Sequence, residues 1–203
     1  FSGPARLWRH ATRSEWVGPS ASQCHFAPNV QKLAGAVPSI TAVRVEGPQS
    51  SVRYRSEQLA ALFPTQTVFL EEEESAELWT AIRELKTLHL EEEEQLWRLS
   101  VPPTAGEVLA EQLQTLNLRS HAYDWGGALL WAVLPGLEDA APLHHMALEA
   151  GGHARLVDYR GNFSPGLQAH PPLSAGLAQL HLNLKQAFDP KGILNPGRIF
   201  PEF

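Results

Sequence analysis

The chain has 203 residues, 43% of them hydrophobic and 19% charged, enough to bury a sizeable core as one large or two small domains. A formal net charge of -6, with the few lysines and arginines scattered, argues against a nucleic-acid partner, whose phosphates demand clustered basic side chains. The single cysteine, Cys24, excludes an internal disulfide and any cysteine-built zinc or iron-sulfur site within the chain, and fits a reducing cytoplasm.

The longest apolar run, Ala128 to Leu134, is too short to span a bilayer, and no basic start followed by an apolar block opens the chain. Neither a membrane span nor an exported precursor is expected. The sequence begins at Phe1, and its one methionine is Met146, so the expectation is a piece cut from a longer protein.

Residues 1–38 form an irregular N-terminal segment rich in proline and glycine, with one short strand expected near Leu7. Ile40 to Glu46 alternates as a strand and is closed by Gly47-Pro48. Ser50 or Ser51 can then cap a helix to about Phe63, with Val52, Leu59, Leu62 and Phe63 facing inward, until Pro64 stops it. Thr65 to Leu70 reads as the returning strand. Glu71 to Glu74 open a further helix at its positive dipole end, and Leu78, Ile82 and Leu85 give it a core stripe. This run and the second one, Glu91 to Glu94, read as solvated charge, because contiguous carboxylates spread apart instead of converging on a cation.

From residue 95 the pattern becomes regular. Trp97, Leu99 and Val101 alternate as a strand ended by Pro102-Pro103, and Thr104 to Glu107 has the spacing of a capping box for a helix to about Leu116. Val108, Leu109, Leu113 and Leu116 lie on its apolar face. Arg119 to Trp125 and Ala128 to Leu134 read as strands joined at Gly126-Gly127. A helix from Asp139 to Ala150, ended by Gly151-Gly152, and a strand from His153 to Tyr159 follow. The order strand, helix, strand, strand, helix, strand predicts an α+β, ferredoxin-like fold, an antiparallel sheet with helices packed on one face. Residues 39–189 are then one domain whose regular second half, 95–160, is preceded by a degenerate first half, 39–90, that enlarges the same sheet.

A last helix bearing Leu177, Leu180, Leu184 and Phe188 runs into Asp189-Pro190 and must end there. Beyond it, Lys191-Gly192 and Asn195-Pro196-Gly197 are turn punctuation around Ile193 and Leu194, so the tail, 190–203, reads as fixed corners with buried anchors. On chemistry alone it can close the domain's own core or meet another surface.

The run Phe188-Asp-Pro-Lys-Gly-Ile-Leu-Asn-Pro-Gly-Arg198 resembles the closing motif of FAD-linked oxidases of the vanillyl-alcohol oxidase and D-lactate dehydrogenase type. Two more stretches, Leu96 to Thr104 and Asp124 to Trp131, with Gly151 to Ala154, narrow the resemblance to the FAD-binding subunits of bacterial glycolate oxidases, over about residue 90 to the end. The first ninety residues match only in general character.

The resemblance implies the enlarged-sheet cap domain of such oxidases. It also implies FAD in the intact protein, an N-terminal FAD domain of the same subunit, and partner subunits including an iron-sulfur one. The reaction implied is oxidation of glycolate or a similar 2-hydroxy acid to the 2-oxo acid, in the cytoplasm or at a membrane through partner subunits. The chain shows no glycine-rich pyrophosphate loop, so it is expected to hold little FAD alone. A stand-alone ferredoxin-like binding or regulatory module is the alternative, and a scaffold that keeps flavin contacts without turnover is a third.

No catalytic residue is assigned. His144 and His145 are adjacent on a helix, point about 100° apart and cannot share a metal. His145 and Glu149 share a face as an exposed pair. His153 starts a strand, with Asp158 expected on the opposite side of the pleat, and no serine elbow supports a hydrolase. Related 2-hydroxy-acid dehydrogenases carry a glutamate-histidine-glycine signature that is missing here, so His153 is only a weak candidate for substrate contact. Arg98, on the face opposite Trp97 and Leu99, can grip a carboxylate with two hydrogen bonds or be an ordinary outer-face arginine. Asn195, Gly197 and Arg198 sit where the resemblance places flavin contacts. Trp97, Trp125 and Trp131 can line a flavin wall or pack a core.

Overall fold

In a computed structural model the fold is described for residues 5–8, 40–62, 67–70, 72–162, 164, 166–197 and 199–200. The chain divides into two compact units, Phe1–His89 and Leu90–Phe203.

In the first unit, β1 (Ala5–Trp8) lies between β2 (Thr41–Arg44) and β3 (Val68–Leu70) and is antiparallel to both. With helix α1 (Gln49–Leu62) joining β2 to β3 and α2 (Glu72–Arg83) following, this is a split strand-helix-strand unit with its own three-stranded sheet. Its core is small, centred on Leu70 and Leu78. Val52 of α1 is buried as expected, whereas Leu62 is exposed. A helix of 14 residues runs ~21 Å and overhangs four-residue strands of ~13 Å. The expected end of that helix at Phe63-Pro64 and start of the next strand at Thr65-Gln66 lie outside the described residues.

The second unit carries the sheet that the strand, helix, strand, strand, helix, strand order predicts. Its strands β4 (Glu94–Ser100), β5 (Ser120–Asp124), β6 (Leu129–Pro135) and β7 (His153–Tyr159) stand in the order β5-β6-β4-β7, every neighbour antiparallel. Helices α3 (Gly106–Gln112) and α4 (Ala141–Glu149) cover one face. Trp97 and Leu99 from β4 and Leu130, Ala132 and Leu134 from β6 meet Leu109, Leu113, Leu143 and Ala147 there, all fully buried. Gln95 shares that face and is satisfied, accepting from Trp97 Nε1 at 3.0 Å and donating to the Leu137 carbonyl at 3.1 Å.

The fold class is therefore α+β and ferredoxin-like, with one correction. The first-half strands do not enlarge this sheet. Their pairing is taken up by β1, a strand distant in sequence that engages β2 on one edge and β3 on the other.

Local chemistry departs from the pattern elsewhere. Thr104 does not cap α3, because Pro102-Pro103 feed a 3-10 turn, with the Ala105 N–H donating to the Pro102 carbonyl at 2.9 Å, and place Thr104 inside it. Val108 faces solvent. Glu94 is not solvated: it is buried, accepts the Glu91 N–H at 2.7 Å and pairs with Arg119. A β-bulge falls opposite the step from Leu96 to Trp97, since Leu96 pairs with Asp158 and Trp97 with Leu156. Val157 is the extra residue, so Asp158 returns to the row of His153 instead of lying on the opposite side.

The final helix, α5 (Ala175–Phe188), buries none of its residues. Leu177, Leu180 and Leu184 are exposed, and Phe188 is 82% exposed. Ile193 and Leu194 are exposed as well, so the expected buried anchors do not pin the tail. A carboxylate does. Asp189 accepts the N–H groups of Ile193 at 3.1 Å and Leu194 at 2.8 Å, and its pair with Lys185 is 2.8 Å. Lys185 also donates to the Leu194 carbonyl. The Lys185 ammonium, followed by the backbone donors, holds the Asp189 carboxyl down at about 2.

Candidate functional site

Three stretches far apart in sequence, 100–106, 125–128 and 151–153, meet at one end of the second sheet, and glycines set the approach. A Cβ on Gly106 would lie 2.5 Å from the Gly127 carbonyl oxygen, one on Gly127 2.8 Å from that of Pro103, and one on Gly152 1.9 Å from that of Ser100. Backbone packs on backbone here, and no larger residue fits. The β5–β6 connection has positive φ at its first three residues, 52° at Trp125, 64° at Gly126 and 96° at Gly127, before Ala128 returns to φ -77°. Trp125 is the unusual member, because a bulky residue with positive φ is strained. Asp124 steadies it by accepting the Trp125 N–H at 2.7 Å. The indole is thrown outward, 65% exposed, with the Arg98 guanidinium carbon 5.7 Å from the ring centroid.

The sheet face away from α3 and α4 carries the polar candidates. Arg98 stands opposite Trp131 on β6 and opposite Arg155 on β7, and the next pair along is Ser100 with His153. The structure thus brings Arg98 and His153, named from sequence, onto one face. Arg155 is the addition. Its partner across the sheet depends on register, which no local pattern encodes, although its place two residues after His153 on an alternating strand was a usable signal. Among the described residues neither Arg98 nor Arg155 is paired with a carboxylate.

Trp97 belongs to the core, Trp131 is half-buried and Trp125 is outside. On the helix-covered face, Tyr123 stands edge-on to His121 at 5.1 Å between ring centroids. Burial, then Glu107 and Glu111, push its hydroxyl up to about 12, so it stays a neutral donor. Burial lowers His121 in turn. His144 is buried against Trp97, its Nε2 2.9 Å from the Gln168 carbonyl oxygen, and burial lowers its pKa. His145 is exposed and makes the expected pair with Glu149 at 3.3 Å. No group of three metal-ligating side chains occurs among the described residues.

The tail candidates are separate from this face in sequence and form their own turn. Asn195 and Gly197 are left-handed, with φ of 47° and 64°, while Arg198 lies outside the described residues. The Phe200 ring lies 6.0 Å from that of His170 and 5.8 Å from that of His181. Burial, then the nearby Arg155 and His144, lower His170.

Residues 173–199, the span of α5 and its clamped turn, match the family described as FAD linked oxidases, C-terminal domain. In that closing segment the chain is similar to the FAD-linked oxidases. Over 162 residues it is 35% identical to the glycolate oxidase subunit GlcE of Escherichia coli (strain K12), a match that covers 79% of this chain and 39% of that protein. The chain thus spans about two fifths of the length of that relative. No solved structure matches it. No described helix is long and apolar enough to cross a membrane.

Proposed function

We propose that the chain is the C-terminal cap portion of the FAD-binding subunit of a glycolate oxidase-like complex, oxidising glycolate or a similar 2-hydroxy acid to the 2-oxo acid. The observation that carries this reading is the 35% identity to GlcE over 79% of the chain. The three stretches that converge on the sheet end support it, since a substrate-side surface needs side chains fixed by rigid backbone.

Bound flavin would take the two electrons released by the acid. The chain's own residues fit an orienting role. Asn195 and the backbone at Gly197, in a turn held by Asp189 and Lys185, together with Arg198, suit the polar edge of a flavin ring, and a cation there favours reduced, anionic flavin. A pyrophosphate would need a glycine-rich loop, so that half of the site is assigned to an N-terminal FAD domain of the same subunit. Arg98 and His153 face the substrate, and an iron-sulfur subunit receives the electrons.

The test is flavin retention in the full-length subunit. Arg198→Ala loses a charge-assisted contact of roughly 1.5–3 kcal/mol and should weaken flavin retention or lower the reduction potential, with little change in the melting of the isolated chain. An isolated chain that melts much earlier, beside unchanged flavin content and potential in the full-length subunit, would make Arg198 structural. The self-contained core of Leu90–Phe203 favours a second reading, a stand-alone binding module without redox activity. A full-length subunit that never holds flavin would support it.

A further inference from the structure

We infer that Arg98 and Arg155 together form a binding site for one small carboxylate on the face of the second sheet away from α3 and α4, with Trp125 holding Arg98 in place. The inference rests on the reading above only for which acid is bound.

Register supplies the geometry. Residues directly opposite on neighbouring strands have Cβ atoms roughly 5 Å apart, and like charges so placed destabilise a sheet. Arg98 and Arg155 are such a pair. The surrounding cations are mostly matched to carboxylates, Arg119 to Glu94 and Arg160 to Asp158, but these two are not. A repulsion retained on an otherwise well-formed sheet is relieved when an anion enters between the guanidinium groups. One carboxylate suffices, because its two oxygens offer about four acceptor positions, enough for two planar forks of donors.

Trp125 explains why Arg98 is ready. An arginine side chain loses rotamer freedom when it grips a ligand, and one already restrained loses less. The Trp125 ring lies over that guanidinium, and the ring is aimed there by a backbone with φ of 52° that the Asp124 carboxylate stabilises. Strain that recurs in no other part of the hairpin's purpose is accounted for by the position of the ring.

The experiment titrates the 203-residue chain with sodium glycolate, followed by calorimetry and by tryptophan fluorescence, with neutral glycolamide as control. Glycolate should bind and glycolamide should not. Arg98→Gln and Arg155→Gln should each weaken binding by about 10- to 100-fold, the loss of one charge-assisted contact. Lysine at either position should restore part of it, because charge returns without the fork. Trp125→Phe should weaken binding only several-fold. Far-UV circular dichroism should stay unchanged in the arginine variants and melting should not fall, since Arg155 is exposed, Arg98 is half-buried and either change relieves the like-charge pair. Absence of glycolate binding, equal binding of glycolamide, or an Arg155→Gln variant that binds as well as the parent would each overturn the inference. None of these outcomes touches flavin content in the full-length subunit, which alone decides the cap reading.

Discussion

Gly152 is the position at which the smallest change should do the most damage. It stands between α4 and β7, its N–H donating to the Ala147 carbonyl at 2.8 Å, and its φ is one that any residue adopts. Only space forbids a side chain. A Cβ there would be 1.9 Å from the Ser100 carbonyl oxygen and 2.7 Å from Val101 Cγ1, and the oxygen belongs to backbone that cannot rotate away. To regain an ordinary contact of 3.4 Å, the start of β7 must move about 1.5 Å from β4. Overpacking costs about 1–3 kcal/mol, and losing the ladder bond near Ser100 and His153 adds about 1 kcal/mol. Gly152→Ala should therefore destabilise the second unit by about 2–4 kcal/mol, a fall in melting temperature of ~8–16 °C for a domain of this size. Calorimetry at neutral pH measures it. Gly126→Ala is the comparison, for nothing lies within 4 Å of its Cβ and only the φ of +64° opposes it, at about 1–2 kcal/mol. The steric account fails if Gly152→Ala is as mild as Gly126→Ala. Because β7 carries Arg155, Gly152→Ala should also weaken glycolate binding without touching the ligand.

Asp189→Asn should raise hydrogen exchange at the Ile193 and Leu194 amides at neutral pH. The folded carboxyl sits at about 2, below its ordinary 3.8, so its stabilisation is complete above about pH 4 and is lost as pH falls toward 2; the variant should melt with a flatter pH dependence across that window. His144 is lowered by burial, so the unfolded chain takes up a proton that the folded one refuses, and stability present above about pH 6.5 falls on acidification. Melting curves from pH 7 to 5 should show a shallower fall for His144→Gln, and an unchanged slope would show that His144 does not titrate on unfolding. Purified residues 1–203 should be colourless; a yellow preparation with stoichiometric flavin absorbance would show that this chain holds the cofactor by itself.

The regular half of the fold was legible because its periodicities are clean. Trp97, Leu99 and Val101 alternate, the apolar positions of α3 and α4 recur at helical spacing, and only a few strand orders accommodate that succession of elements. What failed were competitions between two local signals. At Thr104 a capping box competed with Pro102-Pro103, and the prolines won because Pro103, its φ already fixed near the helical value, starts a 3-10 turn that takes Thr104 in as an interior residue. At Val157 a bulge added one residue, and one residue is enough to reverse which face Asp158 shares. Arg98 was visible from sequence as an outer-face arginine with two meanings. Its partner Arg155 was not, because cross-strand neighbours are a property of register. In the first unit, β1 enters its sheet from far upstream, and no pattern within residues 39–90 points to it.

The tail shows why a motif can be specific while its apolar residues stay uncovered. If Phe188, Ile193 and Leu194 fixed the corner, the turn would exist only where a core received them. Instead Asp189 gathers two backbone N–H groups and Lys185, and the left-handed positions Gly192, Asn195 and Gly197 let the chain reverse without steric cost at the glycines. The corner is therefore set by bonds within residues 185–197 and is the same whether or not anything packs on it. A stripe of Leu177, Leu180, Leu184 and Phe188 presented by such a self-sufficient element is available to a second surface at little cost in ordering, because the backbone is already in place. That is the property required of a tail that meets a flavin domain, and a tail folded only by its own core would not have it.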